Sequence, residues 1–218
     1  VGRGKSHDGC VARRGSISQT AQHVRQQAMG AATETTVRYV MDARASQFTL
    51  QVLAGGLLSA FGHSPTIAIR DFSGEAQISL HDPAESSLRL VVPAAALAVR
   101  DEVSDKDRRE IERVMQQDIL ESSSYPEILY ECSSVAATRA GEGQYAVVLN
   151  GELTMHGLTR SQSVPAQVSL TADALRAFGT FALLQTDYDL KLASVAGGAL
   201  KVKDELKFSF NILARRKE

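Results

Sequence analysis

The sequence predicts an all-β protein: an antiparallel sheet, closed into a barrel or stacked as a sandwich, with one amphipathic helix. Three observations predict it. After Val37, apolar and polar residues alternate through most of the chain, the period of a sheet with one buried face. A single stretch, from about Ser104 to Leu120, places Ile111, Val114, Met115 and Ile119 at helical spacing. Short turn signals separate the alternating runs: Asp82-Pro83, Ala140-Gly141-Glu142-Gly143, His156-Gly157 and Ala172-Asp173.

Taken in order, Val37–Met41 reads as a short first strand, and Phe48–Leu53 alternates as a half-buried second one. Gly55-Gly56 is expected to break it, Leu57–Phe61 fits a single helical turn, and Gly62-His63-Ser64-Pro65 is a turn or loop. Ile67 and Ile69 mark a third strand, Ala76, Ile78 and Leu80 a fourth, and Leu88, Leu90 and Val92 a fifth. The helix follows. Ser104, with Asp105 and Asp107 behind it, makes a good start, since short polar side chains and acids favour a helix N-terminus. Its other face is charged: Lys106, Arg109, Glu110, Glu112, Arg113 and Gln116 are expected in solvent. Strands resume after Tyr125-Pro126, at roughly 127–138, 144–155, 159–171, 174–184 and 199–214. His156-Gly157 joins two of them, because a glycine beside a polar residue supplies the positive φ of a tight hairpin turn. Alternation alone does not choose between barrel and sandwich, and no internal repeat is visible.

Bulk properties bound the function. A chain of 218 residues suits one domain of 37–218 behind a tail of 1–36, which is polar, rich in Gly, Ser, Gln and Ala, and expected to be disordered. Its arginines would also suit a targeting peptide; the plainer reading makes Met29 the natural start. No apolar h-region follows, so a cytoplasmic location is expected. A net charge of −1 gives no field for nucleic acid, and no apolar run approaches the length of a membrane span. Cys10 and Cys132 lie in unlike contexts and read as free thiols. No metal and no cofactor are expected.

The ordered phrases Tyr39-Val40-Met41-Asp42 with Ser46-Gln47-Phe48, Asp71-Phe72-Ser73-Gly74-Glu75-Ala76, Asp105-Lys106-Asp107-Arg108, Tyr125-Pro126-Glu127-Ile128, Leu153–Thr159 and Leu200–Lys207 resemble the YceI-like family of lipocalin-like, polyisoprenoid-binding proteins. Gln185-Thr186-Asp187-Tyr188 adds to the set. The most specific piece is Leu153-Thr154-Met155-His156-Gly157-Leu158-Thr159. The resemblance covers about residues 38 to 214. It implies an extended antiparallel lipocalin-like β-barrel around an elongated apolar cavity. In the family that cavity takes a long isoprenoid chain, such as a quinone tail or a polyprenyl phosphate. Gly55–Pro65 marks a distinct subgroup.

The expected ligand-binding residues are Leu50, Val52, Phe61, His63, Ile78, Leu90, Val92, Met115, Ile119, Met155, Phe181 and Leu183. Ile69, Leu80, Val147, Leu149 and Leu153 belong to the same inward faces. For any single one of them, plain core is the simpler reading. His63 and His156 can be read as donors at a cavity mouth or as rings bonded to turn backbone. Catalysis finds little support: G-x-S-x-G, H-E-x-x-H, a P-loop and a dinucleotide glycine fingerprint are all absent from the sequence. Asp187 and Asp189 would suit a catalytic pair, but acids at a strand end usually sit in solvent.

Three functions are compatible with these residues. One is storage or transport of an isoprenoid lipid or quinone, with no catalytic residue. Another is an enzyme or stress-response factor acting on a lipid-like substrate in the same cavity. The last is an interaction module whose barrel is filled by its own side chains. The oligomeric state is left open, a homodimer being one outcome.

Overall fold

The computed structural model describes residues 36–56, 65–192, 194–195 and 200–217. The expectations for the tail lie outside these residues except at Thr36, which belongs to the first strand; those for Cys10, and for the helical turn and loop except at Pro65, also lie outside them.

The described strands are β1 (Thr36–Met41), β2 (Gln47–Gly56), β3 (Thr66–Ile69), β4 (Ser73–Ser79), β5 (Ser87–Pro93), β6 (Leu97–Val99), β7 (Glu127–Gly141), β8 (Gln144–Met155), β9 (Leu158–Leu170), β10 (Ala174–Leu184), β11 (Ser194–Val195) and β12 (Leu200–Lys217). All pairings are antiparallel. The order β1-β4-β5-β7-β8-β9-β10-β12 closes on itself through Arg38↔Lys217 to Met41↔Ala214, giving an eight-stranded barrel. Alternation leaves barrel and sandwich open; the β1–β12 ladder decides for the barrel. Along the rest of its length β12 pairs with β2, which carries β3 and β6 as a branch off the barrel wall.

One short turn lets β12 serve both strands. Between β1 and β2 the chain makes a 3-10 turn, Ala43–Ala45, whose first N–H groups need an acceptor. Asp42 supplies it, accepting from the Ala45 amide at 3.2 Å, while its other oxygen accepts from Arg215 Nε of β12 at 3.0 Å. The chain therefore bends here and continues along the same neighbour.

The helix α1 (Asp105–Arg113) begins as expected: the Ser104 hydroxyl accepts from the Asp107 amide at 3.1 Å, with Asp105 and Asp107 in the first turn. It then widens into a π-helix over Val114–Ile119, ending with Leu120 N–H donating to the Met115 carbonyl at 2.9 Å. Periodicity near 3.6 does not reveal a local change of pitch. Two other expectations are corrected. β2 runs on through Gly55 and Gly56 instead of breaking at them, because Lys201 and Leu200 of β12 pair with them. The short β6 was missed, since three residues carry too little alternation to be read.

The charged helix face is not all in solvent either. Arg108 Nη1 donates to Val99 O at 2.7 Å, Glu112 accepts from Val99 N–H at 3.0 Å, and Gln116 Nε2 donates to Ala94 O at 2.9 Å and Leu97 O at 3.3 Å. These three positions, four residues apart, form one stripe on the helix. They do for the outer edge of β6 what another strand would do, and leave fewer groups open for pairing with another chain. Lys106, Arg109, Glu110 and Arg113 remain exposed.

Candidate functional site

The inward face of every barrel strand is apolar, so closure puts these side chains around a common axis. They do not fill it. A cavity of about 540 Å³ runs inside the barrel, lined by apolar side chains from the ring strands, from β2, β3 and β6, and from the α1–π segment. Many inward side chains, among them Ile78, Leu88, Leu90, Leu149, Phe181 and Phe208, are only half-buried because one side faces this space. None of the described lining residues is Lys, Arg, His, Asp or Glu.

Ten of the twelve expected site residues line the cavity: Leu50, Val52, Ile78, Leu90, Val92, Met115, Ile119, Met155, Phe181 and Leu183. Phe61 and His63 lie outside the described residues. The helix does more than pack against the barrel, since Ile111, Val114, Met115, Ile119 and Leu120 all face the cavity. Sequence reasoning left out part of one wall. Val164, Ala166 and Val168 on β9, and Leu206, Phe208, Phe210 and Ile212 on β12, also line it. Their alternation was there to be used.

An aromatic wall forms where β2, β10 and β12 meet. Phe181 lies opposite Phe208 in the β10–β12 register and stacks on it at 4.7 Å, nearly parallel. Phe210 lies opposite Phe48 of β2 and meets it edge-on at 6.3 Å. Such pairs add about 0.5–1.5 kcal/mol beyond their burial. They give this side of the tube a rigid surface.

Polar groups are few and mostly engaged. Tyr130 projects into the barrel, and its hydroxyl is shared between the carbonyls of Gln162 (3.0 Å) and Leu149 (3.1 Å). Burial pushes this phenol well above its ordinary value, so it remains a neutral donor. Gln185 is buried at the end of β10 and donates to the carbonyls of Lys203 (2.9 Å) and Asp204 (3.4 Å). Those two residues lie where the β12–β2 register slips between Val202 and Leu206, so the glutamine satisfies carbonyls that a bulge turns out of the ladder. The cavity reaches the surface at the β4–β5 turn, where Pro83 is exposed and Leu80 is 56% exposed, both lining it. Ser79, Ser86 and Ser87 lie at the same end.

His156 is not at a mouth. It sits in the β8–β9 turn with φ 52°, its ring 4.3 Å from that of Tyr125 and its Nδ1 3.2 Å from the Tyr188 carbonyl. Of its two readings, the turn-backbone one describes this geometry. Asp187 and Asp189 are exposed and do not line the cavity. Cys132 is a buried free thiol whose pKa burial raises, which keeps it protonated and inert. Among the described residues, no group of three or more His, Cys, Asp or Glu gathers as a metal site would, and no helix is long and apolar enough to cross a membrane.

The class these features define is a closed antiparallel barrel with a hollow, uncharged, apolar interior. The chain belongs to the YceI-like family, whose model matches residues 39–214. Comparison with curated proteins gives no match. Solved structures share the fold. BcnA of Burkholderia cenocepacia superposes with a TM-score of 0.60 at 18% identity, over 79% of this chain and 98% of its own. A polyisoprenoid-binding domain of Saccharophagus degradans, implicated in plant cell wall breakdown, gives 0.59 at 14% identity, over 82% of this chain and 98% of its own. The YceI protein of Campylobacter jejuni gives 0.50 at 13% identity, over 70% and 85%.

Proposed function

We propose that this protein binds a long-chain isoprenoid lipid in its barrel and stores or carries it. The observation that carries this reading is the cavity: about 540 Å³, apolar along its length and free of charged side chains among its described lining. Each methylene-sized group moved from water into such a tube gains about 0.8 kcal/mol. A slender branched hydrocarbon therefore binds tightly without directional contacts. The polyisoprenoid-binding domain that shares the fold supports the same class of ligand. The low count of free polar groups supports carriage over chemistry, because the described lining residues include no Asp, Glu, His or Lys to act as a base.

Within this class the lining favours a neutral headgroup of the quinone type over a phosphate. A phosphate inside the tube would be an ion in an apolar medium with no Lys, Arg or His among the described lining residues, which costs several kcal/mol. A quinone carbonyl needs only a single donor. The test is a titration of delipidated protein with a quinone and with a polyprenyl phosphate of the same tail length. Tighter binding of the quinone is expected. Equal or tighter binding of the phosphate would contradict the neutral-headgroup reading, and no binding of either would contradict the ligand class.

A further inference from the structure

We propose that the outer face of the β2–β3–β6 branch carries an anion site, formed by Arg44, Arg70 and Arg100, that takes a phosphate group from solution or from a lipid headgroup. The site lies outside the barrel and is independent of the cavity reading.

Alternation builds it. On β3, Ile67 and Ile69 point into the core, so Ala68 and the following Arg70 point outward. On β6, Leu97 and Val99 are buried, so Ala98 and the following Arg100 point outward. On β2, Phe48 and Leu50 are buried, leaving Gln47 and Thr49 on the same outer face. The registers Thr49↔Ala68 and Ala68↔Ala98 bring these positions side by side. The small side chain of Ala68 leaves a hollow of about 290 Å³, and Arg44, Arg70, Arg100, Ser46, Gln47 and Thr49 are among the residues around it. Arg44 comes from the 3-10 turn that precedes β2. Arg70 follows β3 and Arg100 follows β6 at opposite ends of their antiparallel ladder, each anchored by its backbone N–H, to Ala96 O at 3.0 Å and Thr66 O at 2.9 Å, so the two flank Ala68 while the third arginine comes from the turn.

What sets these arginines apart is that they have no partner. Arg38, Arg89, Arg113 and Arg215 make ion pairs, and Arg108, Arg139, Arg160, Arg176 and Arg216 bond to carbonyl or amide oxygens. Among the described arginines only Arg44, Arg70, Arg100 and Arg109 have a side chain that bonds to nothing, and three of these four border the one hollow. The nearby acids make no ion pair with them. Asp101 Oδ2 accepts from the Thr66 amide at 2.7 Å, and Asp42 is held by Arg215 and the Ala45 amide. Asp71 makes no ion pair with Arg70. Three guanidinium groups without an ion-pair partner around one hollow suit a multiply charged oxyanion, which they can grip with charge-assisted, paired hydrogen bonds. The net charge of −1 means that any attraction to anions is local to this face.

The test uses the full chain and the variants Arg70→Gln/Arg100→Gln and Arg44→Gln. Inorganic pyrophosphate is titrated at low salt while the backbone amides of Thr49 and Ala68 are followed by NMR. In parallel, flotation compares vesicles of phosphatidylcholine with vesicles that also contain phosphatidylglycerol. The expected result is a saturable shift at these amides, or selective capture by the anionic vesicles, weakened about tenfold by Arg44→Gln and abolished in the double variant. Soluble pyrophosphate acting alone identifies a free phosphate compound as the source; vesicles acting alone identify a lipid headgroup. Neither effect in the wild type, or either effect unchanged in both variants, overturns the proposal. The replaced side chains are exposed and unbonded, so both variants should melt like the wild type.

Discussion

Gly157 shows how one position joins sequence to architecture. The two-residue turn between β8 and β9 needs φ > 0 at both residues, observed as 52° at His156 and 76° at Gly157. A Cβ on Gly157 would meet Tyr125 Cε1 at 2.9 Å, and that ring is the one His156 rests on. Gly157→Ala should therefore cost about 1–2 kcal/mol from backbone strain alone, and more as Tyr125 is displaced. Urea denaturation measures it; an unchanged midpoint would contradict the account. Gly151 is tighter, because its Cβ would lie 2.3 Å from Glu131 O, in the backbone of β7. Inside the barrel the logic reverses. Leu90 borders empty space, so Leu90→Trp should enter the cavity rather than strain the wall. The variant is expected to melt within a few degrees of the wild type while losing its capacity for lipid. A collapse in stability would show that the space at Leu90 is smaller than the structure gives. Gly157 and Leu90 were legible in the sequence because each depends on local signals: a glycine beside a polar turn residue, or a place in an alternating run. Tyr130 and Gln185 were not, since what their polar ends do depends on neighbours fixed only by closure and by a bulge.

At the scale of the element, the α1–π segment is the part that sequence resolved least. Its position and its apolar stripe were readable from Ile111, Val114, Met115 and Ile119. Its change of pitch, and the pairing of Arg108, Glu112 and Gln116 with β6, were not, because β6 itself was too short to see. The polar stripe then looked like an ordinary solvated face. Gln116 donates to two carbonyls of the edge, so Gln116→Ala should leave them without their donor and cost about 1–3 kcal/mol. Hydrogen exchange should quicken at α1 and at β6 before it quickens in the barrel ring. Unchanged exchange at α1 would mean that apolar packing alone holds the helix. Two barrel strands were legible to the residue, since 144–155 and 174–184 were expected and β8 and β10 span Gln144–Met155 and Ala174–Leu184, whereas β7 and β12 each run three residues past the expected 138 and 214. Long alternating runs bounded by turn residues leave little freedom. The branching of β12 between β1 and β2 was not legible, since it depends on which strands the Asp42 turn brings to the same edge.

For the whole molecule, acid and alkali test how the barrel is sealed. Arg215 beside Asp42, Arg38 beside Glu75, Lys191 beside Glu121, and the Thr186 hydroxyl and amide beside Asp204 hold these carboxyls below their ordinary values. Each lies where two elements meet. A carboxyl with a lowered folded-state pKa contributes stability that is fully present above its unfolded value and is lost as pH falls through the folded one. The urea midpoint should thus hold down to about pH 4 and fall below it. At the other extreme, burial raises the Tyr130 and Tyr188 phenols and the Cys132 thiol. Their contribution is present below their unfolded values and is lost as pH rises, beginning near pH 9, at about the ordinary value of a thiol. A midpoint that stays flat below pH 4 would contradict the sealing role of the carboxyls. The central claim is that the hollow barrel holds a long isoprenoid lipid. The most direct measurement is native mass spectrometry of the gently purified wild-type protein and the Leu90→Trp variant, with the organic extract of each analysed for lipid. The account predicts a long-chain isoprenoid with a neutral headgroup bound to the wild type and absent from the folded variant; a wild-type barrel that carries no such lipid and takes none up, or a folded Leu90→Trp barrel that retains it, would contradict it.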